Sequence, residues 1–204
     1  MKIILIALTF LCSHNCIADY FLHTPKHPIQ VQSWKQLRDQ GIEKQDLDYS
    51  CGSAAVATIL RAYYGFDVYE QDILTAVERI GNDGAASFAD LQQAVQSFGF
   101  KAIGIAATFD MLKTIKIPAL LYLQYRDQDH FSVLRGMSDT HILLADPSWG
   151  NRTFTRHQFK QLWEQDTLKG KALVIVPNSP IVAQANFFQP PHVNMTPIEL
   201  LTHR

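Results

Sequence analysis

The chain has 204 residues, enough for one domain with extensions at its ends. At 47% hydrophobic and 18% charged residues it can bury an ordinary globular core. A formal net charge of -1 and no run of Lys and Arg leave no electrostatic pull toward nucleic acid or an anionic membrane.

The first residues read as a secretory signal. Lys2 supplies a positive start, residues 3–12 are short and mostly apolar, and Cys16-Ile17-Ala18 has small residues at both ends of a cleavage triplet. This predicts a signal peptide over 1–18, cut after Ala18, and a periplasmic product. The apolar stretch is too short to span a bilayer. The other reading, an uncleaved anchor, finds no stop-transfer pattern after it. Neither Cys12, preceded by Phe10 and Leu11, nor Cys16, preceded by Ser13-His14-Asn15, resembles a lipid-attachment site. Of three cysteines, cleavage would leave Cys51 alone, so the product has no internal disulfide.

Residues 19–44 form a polar lead-in with Pro25 and Pro28 and one short helix near Trp34. A domain over 45–177 follows. Its periodicity predicts helices over 51–64, 69–80 and 87–98, the last capped by Ser87 with Asp90 at the third position. A strand over 101–106 and a helix over 109–115 come next. Strands are expected over 117–125, 130–136 and 141–145, a helix over 155–165 and a strand over 172–176. Helices first and an antiparallel sheet afterwards predict an α+β fold. Residues 178–204 hold four prolines (Pro180, Pro190, Pro191 and Pro197) and read as a surface tail or strap.

Cys51 opens the first of these helices. Free N–H groups and the positive end of the helix dipole stabilise a thiolate there, the form in which cysteine is a nucleophile. The competing reading is a small buried core residue. His130 is the best candidate base, at a strand start after the polar turn Arg126-Asp127-Gln128-Asp129. His141 also starts a strand and is its main competitor. His157 falls on a surface helix, and His23, His27, His192 and His203 fall in the ends. Asp146 stands at a strand end, 16 residues after His130, where it can accept the Nδ1–H of a histidine on the neighbouring strand. Asp146-Pro147 also reads simply as the start of a turn. Gln45, six residues before Cys51, can place an amide beside the Cys51 N–H as an oxyanion donor. No histidine pair has metal-ligand spacing, so no metal is expected.

Three stretches resemble, in order, the cysteine, histidine and aspartate boxes of the bacteriocin-processing, or double-glycine, cysteine peptidases. They are Gln45-Asp46-Leu47-Asp48-Tyr49-Ser50-Cys51-Gly52-Ser53-Ala54-Ala55, His130-Phe131-Ser132-Val133-Leu134, and Asp146-Pro147 with Gly150. The resemblance runs from about Gln45 to Val176 and includes Ala86-Ser87-Phe88 to Gly99-Phe100. It implies a papain-like fold, with N-terminal helices packed on an antiparallel sheet. In it Cys51 would be the nucleophile, His130 the base and acid, Asp146 the orienter and Gln45 the oxyanion donor. An acyl-enzyme on Cys51 would be resolved by water, with no cofactor.

Two departures matter. Many members carry an acidic residue where this chain has Ser50, and many are joined to transporter and nucleotide-binding segments for which the sequence has no motif. The chain is more similar to stand-alone exported members, among them the peptidase encoded with functional-amyloid (Fap) export systems. The substrate implied is then a secreted or outer-membrane protein, such as an amyloid subunit or an outer-membrane secretion component. The product after signal cleavage would have no transmembrane segment and no nucleic-acid partner. Two other functions stay open: a transglutaminase- or amidase-like cysteine enzyme, and a non-catalytic module that binds an export substrate.

Overall fold

Strand pairing organises the molecule. A computed structural model describes residues 31–81, 84–126, 128–164 and 168–190. The predicted signal, most of the lead-in and the end of the tail lie outside them. The folded body begins at Trp34. Its helices are α1 (Trp34–Arg38), α2 (Cys51–Thr58), α3 (Glu70–Arg79), α4 (Phe88–Ala94), α5 (Phe109–Thr114) and α6 (Arg156–Trp163). Its strands are β1 (Phe100–Ala107), β2 (Ala119–Tyr125), β3 (Gln128–Met137), β4 (His141–Asp146), β5 (Gly150–Thr155) and β6 (Gly170–Pro177). They form one sheet in the order β1-β6-β2-β3-β4-β5, with every neighbouring pair antiparallel. The α+β reading is therefore correct. No helix among the described residues is long and apolar enough to cross a membrane.

The sheet buries both faces. Along β2, Leu120 joins a core with α2, α3 and α4, while Ala119, Leu121 and Leu123 join a second core with Phe109, Leu112, Phe159 and Trp163 of α5 and α6. Period-two alternation explains why one strand serves two cores. A central strand with helices on both sides must be apolar throughout, and Ala-Leu-Leu-Tyr-Leu is.

Three details differ from the sequence expectation. The first long helix stays α-helical only to Thr58, then widens into a π turn over Ile59–Tyr63. Thr58 Oγ1 donates back to the Ala54 carbonyl at 2.9 Å and accepts the Glu43 N–H at 2.9 Å, contacts that loosen the ladder at that point. The third helix tightens into a 3₁₀ turn over Val95–Phe98 before Gly99, and its Ser87–Asp90 capping box forms as expected. Strand β5 was not expected. It has one large apolar residue, Phe154, and is defined by pairing to β4 from Asp146↔Gly150 to His141↔Thr155.

The segment after β6 lies across the molecule. A β-bulge between Leu134 and Gly136 takes Arg135 out of the β3–β4 ladder. The Gln189 N–H donates to the freed Arg135 carbonyl at 3.0 Å, and the Gln184 N–H donates to the Tyr63 carbonyl at 2.7 Å. A Cβ on Gly136 would overlap the Gln189 carbonyl, so only glycine admits this approach. Phe187, 5% exposed, packs on Tyr63, and the Arg135 guanidinium lies over its ring at 5.0 Å. Phe187→Ala should therefore cost about 3 kcal/mol in urea-melt stability. A loss under about 1 kcal/mol would mean that the ring contributes little to the core.

Candidate active site

The site forms where α2 begins, beside the ends of β3 and β4. Cys51 is the first residue of α2 and is buried. No side chain caps this helix: Ser50 Oγ is occupied with the Leu47 N–H at 3.2 Å and the Leu47 carbonyl at 2.8 Å. The first backbone N–H groups of α2 are thus left uncapped by any side chain, as an oxyanion site requires. Gly52 allows α2 to sit this low. A Cβ there would meet Leu91 Cδ1 at 2.9 Å and Phe131 Cδ2 at 3.0 Å.

His130 and Asp146 are joined across the β3–β4 pair. His130 Nε2 lies 3.0 Å from Asp146 Oδ2. Ladder partners Val133 and Ala145 put Ser132 opposite Asp146, so His130 is a diagonal neighbour, two residues along. That offset decides which nitrogen reaches. The bond uses the distal Nε2 rather than the Nδ1 expected from sequence, and the Cys51 thiol acts on the same ring, helping to raise its pKa.

Asp146 is 0% exposed, and three hydrogen bonds support its carboxylate. Oδ2 takes His130, while Oδ1 accepts the N–H groups of Ser148 and Trp149, each at 2.9 Å. The two sequence readings of Asp146, turn starter and histidine partner, describe the two oxygens of one side chain. Burial pushes its pKa up, but the hydrogen bond and charge of His130 and the two backbone donors hold it below the ordinary value. At His130 burial pulls down, yet the bonds to Asp146 and Cys51 outweigh it and raise the imidazole to about 9. The arrangement favours a charged imidazolium between two potential anions.

Gln45 lines the same cleft, but its amide is engaged. Nε2 donates to the Leu47 carbonyl at 2.9 Å, and Oε1 accepts the Ser148 hydroxyl. His141 stands elsewhere, with Nδ1 2.9 Å from Thr140 Oγ1. Tyr125 has no obvious sequence signal and yet packs edge-on to the His130 ring at 5.6 Å. Its hydroxyl is buried without a hydrogen bond, and burial and then Asp146 push its pKa up to about 12. It gives the His130 ring an apolar neighbour on the wall of the cleft. Among the described residues no cluster of three or more His, Cys, Asp or Glu is placed to hold a metal.

Two hollows meet at Cys51. One, of about 1090 Å³, holds His130, Gln45, Ser148, Trp149 and Arg152. The other, of about 710 Å³, is lined by Ala86, Phe88, Tyr122, Phe131 and Lys171, without His130. Asp48 and Asp129 line both.

Comparison with known proteins places the chain in a peptidase family. The sequence model of the Peptidase C39 family matches residues 39–177. A Pseudomonas aeruginosa protein described as a probable functional amyloid protease, FapD, is 31% identical over 139 residues. That stretch is 66% of this chain and 62% of the relative's length. The peptidase domain of Streptococcus ComA, a bi-functional ABC transporter, superimposes with a TM-score of 0.57 at 18% identity, over 67% of this chain and 97% of that one. A double-glycine-motif protease from an AMS/PCAT transporter, in complex with its leader peptide, gives 0.56 at 21% identity, over 67% and 90%. These two likenesses identify the fold as that of papain-like peptidase domains.

The raised His130 contributes stability that is complete below its unfolded value of about 6.5 and is lost as pH climbs through about 9. The depressed Asp146 contributes stability present above about 3.9 and lost as pH falls through its lowered folded value. Stability from the pair should therefore be greatest between about pH 4 and 6.5. In Asp146→Asn the His130 titration, followed by NMR of the imidazole, should fall from about 9 toward the ordinary histidine range. An unmoved titration would mean that Asp146 does not hold the ring.

Proposed function

The chain belongs to the peptidase C39 family and is a cysteine peptidase by that membership; from this premise we propose that it is an exported endopeptidase acting on a secreted or outer-membrane protein through an acyl-enzyme on Cys51. The observation that carries this reading is the continuous chain from the α2 N-terminus to a buried carboxylate: Cys51 within reach of His130, and His130 3.0 Å from Asp146.

The chemistry follows from that order. His130 takes the proton of Cys51, and the Cys51 sulfur attacks the scissile carbonyl carbon. Negative charge passes to the carbonyl oxygen, which the Cys51 N–H and the Gln45 amide stabilise once Gln45 turns from Leu47. The tetrahedral intermediate collapses, the C–N bond breaks, and imidazolium gives its proton to the leaving amine. A water molecule, deprotonated by His130, then attacks the thioester, and the proton returns when Cys51 is released. Asp146 keeps the ring oriented and remains ionised throughout.

Export rests on the signal reading of residues 1–18, while the substrate class rests on the likeness to FapD, a probable functional amyloid protease. That likeness also makes a component of functional-amyloid secretion, in biofilm formation, the first substrate to try.

The reading is tested by alkylation and cleavage together. Iodoacetamide should label Cys51 rapidly at pH 6, located by peptide mapping, and His130→Ala should slow that labelling by on the order of 100-fold. Cys51→Ala should abolish peptide cleavage while keeping the wild-type melting temperature. His130→Ala should lose on the order of 1000-fold in kcat/KM, and Asp146→Asn should be milder. His141→Ala should stay near wild type. Cleavage persisting in Cys51→Ala would refute the assignment, and a severe His141→Ala with a mild His130→Ala would move the base.

A further inference from the structure

The two hollows at Cys51 have different jobs, and their positions relative to His130 assign them. This step rests on the peptidase reading above. His130 must hand its proton to the leaving amine, so the leaving segment of the substrate passes beside His130. The hollow containing both Cys51 and His130 therefore takes the residues C-terminal to the cut. The hollow with Cys51 but not His130 takes the acyl side.

The two hollows share their acidic residues and differ in their cations: Lys171 lines only the acyl side. Asp48 and Asp129 stand where the hollows join. Asp129 also bonds to the Tyr122 hydroxyl, on the acyl side. Arg126 and Arg152 line only the leaving side. Of these two, Arg152 is the one built in. It is half-buried on β5, beside the turn that Asp146 organises. Its guanidinium lies 4.8 Å from the ring centre of Phe154, 5.8 Å from Trp149 and 5.9 Å from Tyr125. It makes no hydrogen bond or ion pair with the described residues. Aromatic faces fix a guanidinium plane without using its five N–H donors, which stay available for a carboxylate. A cation held this way has already lost much of the side-chain freedom that binding would otherwise cost.

We propose that Arg152, framed by Trp149 and Tyr125, is a specificity subsite for an acidic side chain in the leaving segment of the substrate, within the first few residues after the cut. Trp149, 61% exposed, would cover the peptide that reaches it. The chain would then select its cut site by charge on the C-terminal side as well as by fit on the acyl side.

A proteome-derived peptide library digested by the whole protein tests this, with mass spectrometry reading the residues around each cut. The wild type should enrich Asp and Glu over Lys and Arg by about five- to tenfold at one or more leaving-side positions. Arg152→Gln should erase that preference, and Arg152→Glu should turn it toward Lys and Arg. A reversal of sign cannot come from a damaged fold, which lowers all cutting alike. Cuts with no leaving-side charge preference, or a preference unchanged in Arg152→Gln, overturn the subsite and leave the peptidase reading standing. No Cys51-dependent cut anywhere in the library overturns the peptidase reading, and the subsite with it.

Discussion

A carboxylate with no exposure to water needs hydrogen-bond donors, and Asp146 finds three of them in the neighbouring strand and in the turn that follows it. One oxygen takes the imidazole from β3, and the other takes two backbone N–H groups from the turn into β5. The turn, the last strand pair and the ring orientation are therefore set by a single side chain. Remove the charge and three consequences arrive together: orphaned backbone donors, a loosened hairpin and a histidine free to rotate. The segment before α2 reaches the same turn, since the Gln45 N–H donates to the Pro147 carbonyl at 3.3 Å. The oxyanion candidate and the histidine orienter thus share one piece of backbone.

The electrostatics extend from this point. His130 is pulled down by burial and up by its neighbours, and the neighbours win because Asp146 lies at contact distance in a place that water does not screen. Tyr125 packs edge-on against the His130 ring. The two hollows at Cys51 share Asp48 and Asp129 and differ in their cations, Lys171 in one and Arg126 with Arg152 in the other. The protein applies two uses of low polarity here: one to hold a proton in place, the other to leave a stacked guanidinium exposed to a partner.

Much of this was legible in the sequence, and the illegible parts have physical reasons. Cys51 was readable because a helix start is a local event, marked by the change from polar Gln45–Ser50 to the small, buried run of α2. His130 and Asp146 were readable as strand-end polar residues at hairpin spacing. Their nitrogen–oxygen pairing was not, because a one-residue change of register would alter it, and register is a tertiary outcome. Strand β5 escaped because edge strands need few apolar residues, and Gly-Asn-Arg-Thr-Phe-Thr has one. The π turn escaped because it depends on Thr58 meeting Glu43, a contact absent from any local window. Tyr125, Trp149 and Arg152 are unremarkable residues in sequence; only the folded sheet end gathers them.

The sheet order carries a consequence in time. Strand β6 is the last strand of the described residues, yet it lies between β1 and β2, one strand in from the edge of the sheet. A ribosome or a secretion channel delivers the chain from its first residue onward. Until Gly170–Pro177 has emerged, β1 and β2 have no strand to join them, and Leu173 and Ile175 are missing from the core beneath α2. The nucleophile's helix therefore lacks its floor while synthesis or passage is incomplete. Topology thus withholds the finished floor of the site until nearly the whole domain has been made.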